Sequence, residues 1–478
     1  MPRRRPRKRR LKEAISIHKR KPRKTAMNNN PTRILILGGG FAGATVARDL
    51  EKAFDRRTDI EITVVDQENY SLFTPLLPEV PSGALEPKHI VSTLRAFLRR
   101  ANVRQAEVKR IDLAQRLVTA AHCPDCEIAH FPFDHLVVAL GSVTNFFSLH
   151  GVASHALQMK TLADATSLHA HVIGEFEHAS MYPARRRELL TFVVAGGGFA
   201  GVETAAELND FVRKADRYYP EVRKEDVRVV LIHSGARILP EVSESLSAYA
   251  LNKLCSRGVE VLLNTRIQGY SENRVQLSTG EEIASRTLIW TAGTKAHPLI
   301  ATLDLPKAGG GKLVVDDTLR VSGAEGVWAI GDCASVPDLT TGQTCPPTAQ
   351  HAIRQARQLA NNIAATITGQ ALQPFRYKPM GVLAGLGRRS AVAEILGLKF
   401  SGFFAWWLWR TAYLLKLPGL ERKVRVAIDW TLDLMFRRDI VYLRPLHLTH
   451  ASRHVDDTLG PLDVPVEVEP RVATPSGN

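Results

Sequence analysis

Cysteine is scarce in this chain. Only Cys123, Cys126, Cys255, Cys333 and Cys345 occur among 478 residues, too few and too scattered for a disulfide framework, so a reducing compartment is the default. A secretory signal is lacking too. No uncharged apolar run reaches the ~18–20 residues needed to span a bilayer. The longest candidate, around residues 400–417, is interrupted or flanked by Lys399, Arg410 and Lys416. Acids are scarce at the start of the chain. Residues 1–24 hold 13 Lys or Arg against Glu13 alone, a segment charge of +12 that leaves only +3 of the total +15 for everything else. The remaining body is therefore only mildly basic, which does not fit a protein whose whole surface binds nucleic acid.

Such a like-charged block repels itself, and residues 1–27 are expected to form a disordered extension. Three readings fit it: an arm for nucleic acid or anionic lipid, an organelle transit peptide, or a start codon placed too early. The last is preferred, because Met27 stands just before the first strand and a chain begun there loses nothing the fold needs. The rest of the composition, 45% hydrophobic and 23% charged, is that of a globular protein with room for two or three domains.

What the chain does contain is one pattern used twice. Residues 32–37 (TRILIL) predict a short strand ending at Gly38-Gly39-Gly40, residues 41–53 a helix, and residues 60–65 (IEITVV) a strand ending at Asp66. The pattern recurs with a strand at 190–194, Gly196-Gly197-Gly198, a helix at 199–213 and a strand at 227–232. The fold class is α/β with two Rossmann-like dinucleotide-binding domains, followed by a C-terminal membrane-associating helical region. Residues 133–141 (FDHLVVALG) add a buried strand ending in Gly141, and residues 287–290 and 327–330 are expected to return to the first domain as late strands. The expected division is 28–150 and 291–375 for the first nucleotide domain, 151–290 for the second, 376–446 for the membrane-surface region and 447–478 for a loose tail.

In each fingerprint the glycines have separate tasks. Gly38 and Gly196 permit the tight turn, Gly40 and Gly198 let backbone approach a pyrophosphate, and Gly43 and Gly201 let helix pack on strand. Asp66 is placed to accept from a ribose. His233 occupies the equivalent position in the second copy. When neutral it still bonds a ribose hydroxyl; when protonated, as expected near pH 6, it would attract a 2′-phosphate, with Arg237 nearby to help. NADH is the expected donor, with NADPH as the variant this histidine leaves open. Asp332, after a strand in WAIGD, suits a flavin ribityl hydroxyl, with the dipole of a following helix near the ring system. Glu203 lies in the first turns of the second nucleotide helix. There the helix dipole alone favours an acid, while a catalytic reading sets it over the redox centre.

The pair Cys123 and Cys126 has CxxC spacing but sits between two apparent strands. A hairpin turn is the preferred reading over a metal site or a redox pair, and no metal is expected. The stretch 400–417 (FSGFFAWWLWRTAYLLKL) holds Trp406, Trp407 and Trp409. With Lys399, Arg410 and Lys416 reaching for head groups, and a second basic helix at 422–440, it reads as an anchor lying on a lipid surface. The alternative is an ordinary core or a homodimer contact.

At this point the residues resemble a known family, the type II (single-subunit, non-proton-pumping) NADH:quinone oxidoreductases, over residues 32–446. The resemblance is carried by FTPLLPEV at 73–80, ALGS at 139–142, AGGGFAGVETAAEL at 195–208, RILP at 237–240, GDCA at 331–334, PPTAQ at 346–350 and the aromatic C-terminal region. It implies FAD in the first fold, held by Gly38, Gly40, Gly43, Asp66, Gly141 and Asp332. It implies NADH in the second, at Gly196, Gly198, Gly201, His233 and Glu203. Ala349 and Gln350 would line the end where a membrane quinone enters, and Glu203 and Gln350 would be the catalytic pair. The chain departs from the family at His233, where an acid is usual, at Arg354, where a second Gln is usual, and at its CxxC. Placement follows as peripheral on the cytoplasmic face of the inner membrane, with a mitochondrial site the second choice. The rivals are a soluble NAD(P)H diaphorase or demethylphylloquinone-type reductase, a sulfide:quinone oxidoreductase, which needs a cysteine pair this chain places poorly, and a flavoprotein whose basic arm binds nucleic acid. The last of these partners is not expected.

Overall fold

The computed structural model describes residues 31–122, 127–215 and 217–442. The basic extension, the loose tail, Cys123 and Cys126 lie outside the described residues.

Two five-stranded parallel sheets organise the chain. In the first, the order is Val327–Ala329, His135–Val138, Thr32–Leu37, Ile60–Asp66 and Asn102–Gln105. Every neighbouring pair is parallel, with Leu37 opposite Val65 and Val138. Strands buried on both faces read as continuous apolar runs, which is why TRILIL and HLVV are legible. The helices Phe41–Ala53 and Ala349–Thr368 pack together against this sheet, and Trp328, Phe133 and Leu359 share their core. Gly369, at φ +72°, ends the second of them in the left-handed conformation that suits glycine.

The second sheet runs Leu157–Gln158, Thr287–Trp290, Thr191–Ala195, Arg228–Ile232 and Val259–Leu262. Residues 287–290 thus pair with the second nucleotide strand, Ile289 opposite Val194, and do not return to the first domain as expected. Their TLIW run carries the burial signal of any parallel strand, and nothing local says which sheet receives it. Residues 327–329 do cross back to the first sheet.

Beyond residue 376 the sequence reading missed a sheet. Gly381–Gly385, Ala391–Ile395 and Leu398–Ser401 form an antiparallel three-stranded meander. The helices Gly402–Lys416 and Leu420–Met435 follow, the second ending sooner than expected. This unit is packed onto the body. Trp406, Trp409 and Trp430 share a core with Phe73, Leu76, Leu77 and Val80 of the FTPLLPEV turn. Each large apolar side chain buried there contributes about 1.5–3 kcal/mol.

Helix-to-strand approach in the nucleotide folds is tight at one atom. A Cβ on Gly43 would stand 1.8 Å from the Gly38 carbonyl oxygen, whereas a Cβ on Gly40 meets nothing within 4 Å. Gly43→Ala should therefore destabilise the first domain by about 1–3 kcal/mol through overpacking and lower its denaturant midpoint accordingly. Gly40→Ala should leave the midpoint unchanged. Equal stability of the two variants in urea titrations would show that the helix has slack there.

Candidate functional site

The two glycine turns are near copies. Gly38 has φ +104° and Gly196 φ +114°, and a Cβ on either would collide, with the Ala139 carbonyl oxygen at 2.3 Å or with Thr291 Oγ1 at 2.8 Å. Gly43 and Gly201 each stand where a Cβ would lie 1.8 Å from the carbonyl oxygen of the turn's first glycine. Above Gly40 and Gly198 the space is open, beside the start of a helix whose free N–H groups favour an anion such as a pyrophosphate.

The strand-end residues fasten these turns. The Gly39 amide donates to Asp66 Oδ2 at 2.5 Å and the Glu68 amide to Oδ1 at 2.7 Å. In the second copy the Gly197 amide donates to His233 Nδ1 at 3.1 Å. A backbone N–H can only donate, so Nδ1 is the bare nitrogen of a neutral ring. Burial also pushes the His233 pKa below its ordinary value. The expected cationic form near pH 6 is thereby corrected: protonating Nδ1 would cost both the turn's hydrogen bond and desolvation. Arg237 is not held ready for a phosphate either. Its guanidinium donates to the carbonyls of Val242 and Pro240, closing its own loop.

Asp332 Oδ2 accepts from Ser142 Oγ at 2.8 Å, Ser142 Oγ accepts from Lys160 Nζ at 2.8 Å, and Lys160 Nζ stands 3.7 Å from Asp332. Gly141, at φ +68° with open space beside it, immediately precedes this trio. Sequence reasoning missed Lys160. It lies between the edge strand Leu157–Gln158 and the helix Leu162–Met181 of the second unit, and no spacing motif marks it. Asp332 itself sits in the 3-10 turn Gly331–Cys333, and the helix that follows it is Ala349–Thr368. Gln355, buried on the long helix, takes the Gly331 amide on its Oε1 at 2.8 Å.

Ala349 opens that long helix, behind the Thr348 cap. Gln350 donates to the Gly381 carbonyl at 3.1 Å and accepts from Tyr377 Oη at 3.1 Å. Arg354, one turn on, lies over the Tyr377 ring with its guanidinium carbon 5.5 Å from the centroid. Glu203, fully buried, accepts on Oε1 from the Gly385 amide at 2.8 Å and from Trp409 Nε1 at 3.2 Å. Gln350 and Glu203 thus bind opposite ends of one strand, Gly381–Gly385, a span of about 13 Å. The sequence could not pair them, because the strand that does so carries no strong β signal.

Around Glu203 lies a buried cluster of carboxylates and arginines. Trp430 Nε1 donates to Glu79 Oε2 at 2.6 Å; Arg438 donates to Glu207 at 3.0 Å and to Asp433 at 2.7 Å. Burial raises the carboxyl pKa of Glu79 and Glu207, and pushes Glu203 up to about 8. The membrane expectation for this region needs correcting. Trp406 and Trp409 are core residues and only Trp407 is exposed. Arg410 does not reach for head groups: it is sandwiched 4.2 Å from the Trp406 centroid and 4.7 Å from that of Trp430. Cys333 is buried with its thiol pushed up to about 11, no environment for a redox thiolate. Among the described residues no cluster of His, Cys, Asp or Glu could hold a metal ion.

Two parallel sheets, each with a glycine turn leading into a helix, are the fold of a protein that binds two dinucleotides. The chain matches the family model "Pyridine nucleotide-disulphide oxidoreductase" over residues 32–356 and "NDH2 C-terminal domain" over residues 380–439. It is 32% identical to a type II NADH:quinone oxidoreductase of Mycobacterium tuberculosis, covering 85% of this chain and 87% of that protein. It is 31% identical to a probable NADH dehydrogenase of Dictyostelium discoideum, covering 89% and 94%. The solved structure of Plasmodium falciparum NDH2 in complex with NADH shares the fold, at 22% identity and a TM-score of 0.80, covering 86% of this chain and 99% of that one. The chain belongs to the pyridine nucleotide-disulphide oxidoreductases. Within them it is a member of the type II NADH:quinone oxidoreductase family.

One consequence concerns pH. Because the folded state raises the Glu203 pKa from 4.5 to about 8, the fold binds this proton more tightly than the unfolded chain does. That stabilisation is complete below pH 4.5 and is lost as pH rises through about 8. Glu203→Gln should flatten the fall in Tm between these limits. Identical Tm-against-pH slopes for the two proteins would show that Glu203 is ionised in the fold.

Proposed function

We propose that this chain oxidises NADH and reduces a membrane quinone through a resident FAD, without pumping protons. Family membership supports the reaction and its cofactors. The observation that supports the residue-level reading is the strand Gly381–Gly385, which is hydrogen-bonded to Gln350 at one end and to Glu203 at the other. Gly38, Gly40, Gly43, Asp66, Gly141 and Asp332 are assigned to FAD, with Ser142 and Lys160 steadying the Asp332 carboxylate. Gly196, Gly198, Gly201 and His233 are assigned to NADH. Ala349 and Gln350 are assigned to the quinone end.

When bound, FAD supplies the chemistry of taking a hydride from NADH and giving two electrons to quinone. The protein's part is position and charge. Oxidising NADH with quinone to give NAD and quinol consumes one proton. Glu203, kept neutral at pH 7 by burial, holds one; both donors fall on Oε1, leaving Oε2 to carry it. Among the described residues no helix is long and apolar enough to cross a membrane. The helix Leu420–Met435 nevertheless exposes Leu420, Val424, Ile428 and Leu432 along one side. This stripe favours a membrane-surface enzyme over a soluble diaphorase, within the 400–440 segment first assigned to lipid. It is also the surface a homodimer would use. The cytoplasmic face of the inner membrane is the proposed location.

The test is direct. The purified protein should carry FAD and oxidise NADH faster when a short-chain quinone is added. Absence of flavin, or a rate indifferent to quinone, would overturn the reading. A second outcome concerns His233. A ring that stays neutral makes the NADH-over-NADPH ratio of kcat/KM the same at pH 6 and 7.5. His233→Glu should raise that ratio about ten-fold, ~1–2 kcal/mol, through repulsion of the 2′-phosphate. A wild-type ratio that collapses at pH 6 would show that the ring does become cationic.

A further inference from the structure

Where the helix Leu420–Met435 ends, its apolar outer side meets a cavity of about 240 Å³. Met435 and Phe436 belong to both: they are exposed on the stripe side and they wall the cavity. The rest of the lining is unusually basic. Lys214 comes from the end of the second nucleotide helix and Arg217 from beyond it, Arg388 from the first turn of the C-terminal meander, and Arg437 and Arg438 from the segment after the last helix. The acids behind them are Glu207, Asp210 and Asp433, so cations outnumber anions.

Two of the arginines have hydrogen-bonding capacity left over. Arg438 is buried, with Nε on Asp433 and Nη2 on Glu207, but its Nη1 is buried with no partner among the described residues. Arg388 donates through Nη2 to the carbonyls of Asp433 and Leu434, and its Nε is likewise buried and unpartnered. Both N–H groups are sealed from solvent, so what they leave beside the cavity is uncompensated positive charge, which an anion in it would offset. An apolar ledge leading into a basic pocket has the two chemistries of a phospholipid, in the same order.

We propose that this pocket binds the phosphate head group of an anionic phospholipid, whose acyl chains lie along the outer stripe of the helix Leu420–Met435. The proposal rests on the membrane-surface reading given above and adds to it a selectivity for anionic lipid. It also gives the orientation a fixed point: the stripe lies flat on the bilayer while the pocket grips a head group at its end.

The experiment uses the full-length, flavin-loaded protein and cosedimentation with vesicles of phosphatidylcholine alone or with added phosphatidylglycerol. The wild type should bind both, and the second more tightly. Lys214→Gln with Arg217→Gln should remove most of that preference, about 25-fold at about five-fold per cation near an anionic surface, and leave binding to phosphatidylcholine unchanged. Lys423→Gln with Arg425→Gln, the same charge change on the helix itself, should cost distinctly less. Equal losses from the two pairs would mean diffuse attraction and overturn the site. A wild type that binds both vesicles alike overturns the pocket and spares the membrane reading. A wild type that binds neither, or an Ile428→Ser, Leu432→Ser variant that still binds phosphatidylcholine fully, overturns the membrane reading and the proposal with it. A thermal shift with inorganic phosphate that depends on Lys214 and Arg217, without any phosphatidylglycerol preference, assigns the pocket to a soluble anion and overturns the lipid.

Discussion

The burial of one carboxyl group, Glu203, organises the rest of the molecule. A carboxyl on a nucleotide-fold helix would ordinarily face water. Here the meander and the tryptophan-rich helix close over it, and its two hydrogen bonds come from that C-terminal unit, from the Gly385 amide and the Trp409 indole. Leaving such a group buried without partners would cost several kcal/mol. The C-terminal unit is therefore not an appendage whose loss would leave an intact nucleotide-binding body. Its removal would expose Leu76, Leu77 and Val80 and strip Glu203 and Glu79 of their indole donors.

The two nucleotide turns show how one backbone solution tolerates different side chains. Each needs a hydrogen-bond acceptor at the end of its second strand to hold the amide of the turn's middle glycine. Asp66 does this with a carboxylate and His233 with a bare ring nitrogen. The structural task is equally served. The functional one is not, since the carboxylate carries charge toward whatever ribose lies beyond it and the neutral imidazole carries none. An Asp-to-His exchange at this position is thus silent for the fold and audible only to the ligand.

Much of this was legible in the sequence. Strands buried on both faces leave unbroken apolar runs, and the turns between them admit only glycine at fixed positions, so both nucleotide units and the residues of their fingerprints could be read from 32–66 and 190–233. Three things could not. The sheet that receives residues 287–290 is decided by tertiary pairing, and the run TLIW is compatible with either. Lys160 acts across a unit boundary on Ser142 and Asp332, 18 and 172 positions away, which no local pattern encodes. The tryptophans were misread because an indole needs the same two things at a membrane interface and in a core with one buried acceptor: an apolar body and a partner for N–H. Trp409 finds Glu203 and Trp430 finds Glu79, so both are inside.

The last helix resolves the apparent conflict between anchor and core. At about 100° per residue, Val426, Trp430 and Asp433 centre on one side of Leu420–Met435, while Leu420, Val424, Ile428 and Leu432 centre on the side about 180° away. An amphipathic helix of a soluble protein would put charge on that outer side. Here Glu421 stands within that outer side, paired with Arg425 on its flank, among four exposed apolar side chains. Such a helix is only half satisfied by its own protein. The inner face, with Trp430 on the buried Glu79 carboxyl, fixes the helix to the body. The outer face leaves Leu420, Val424, Ile428 and Leu432 exposed, on a helix whose opposite side is locked into the same core as Trp409, the donor to Glu203.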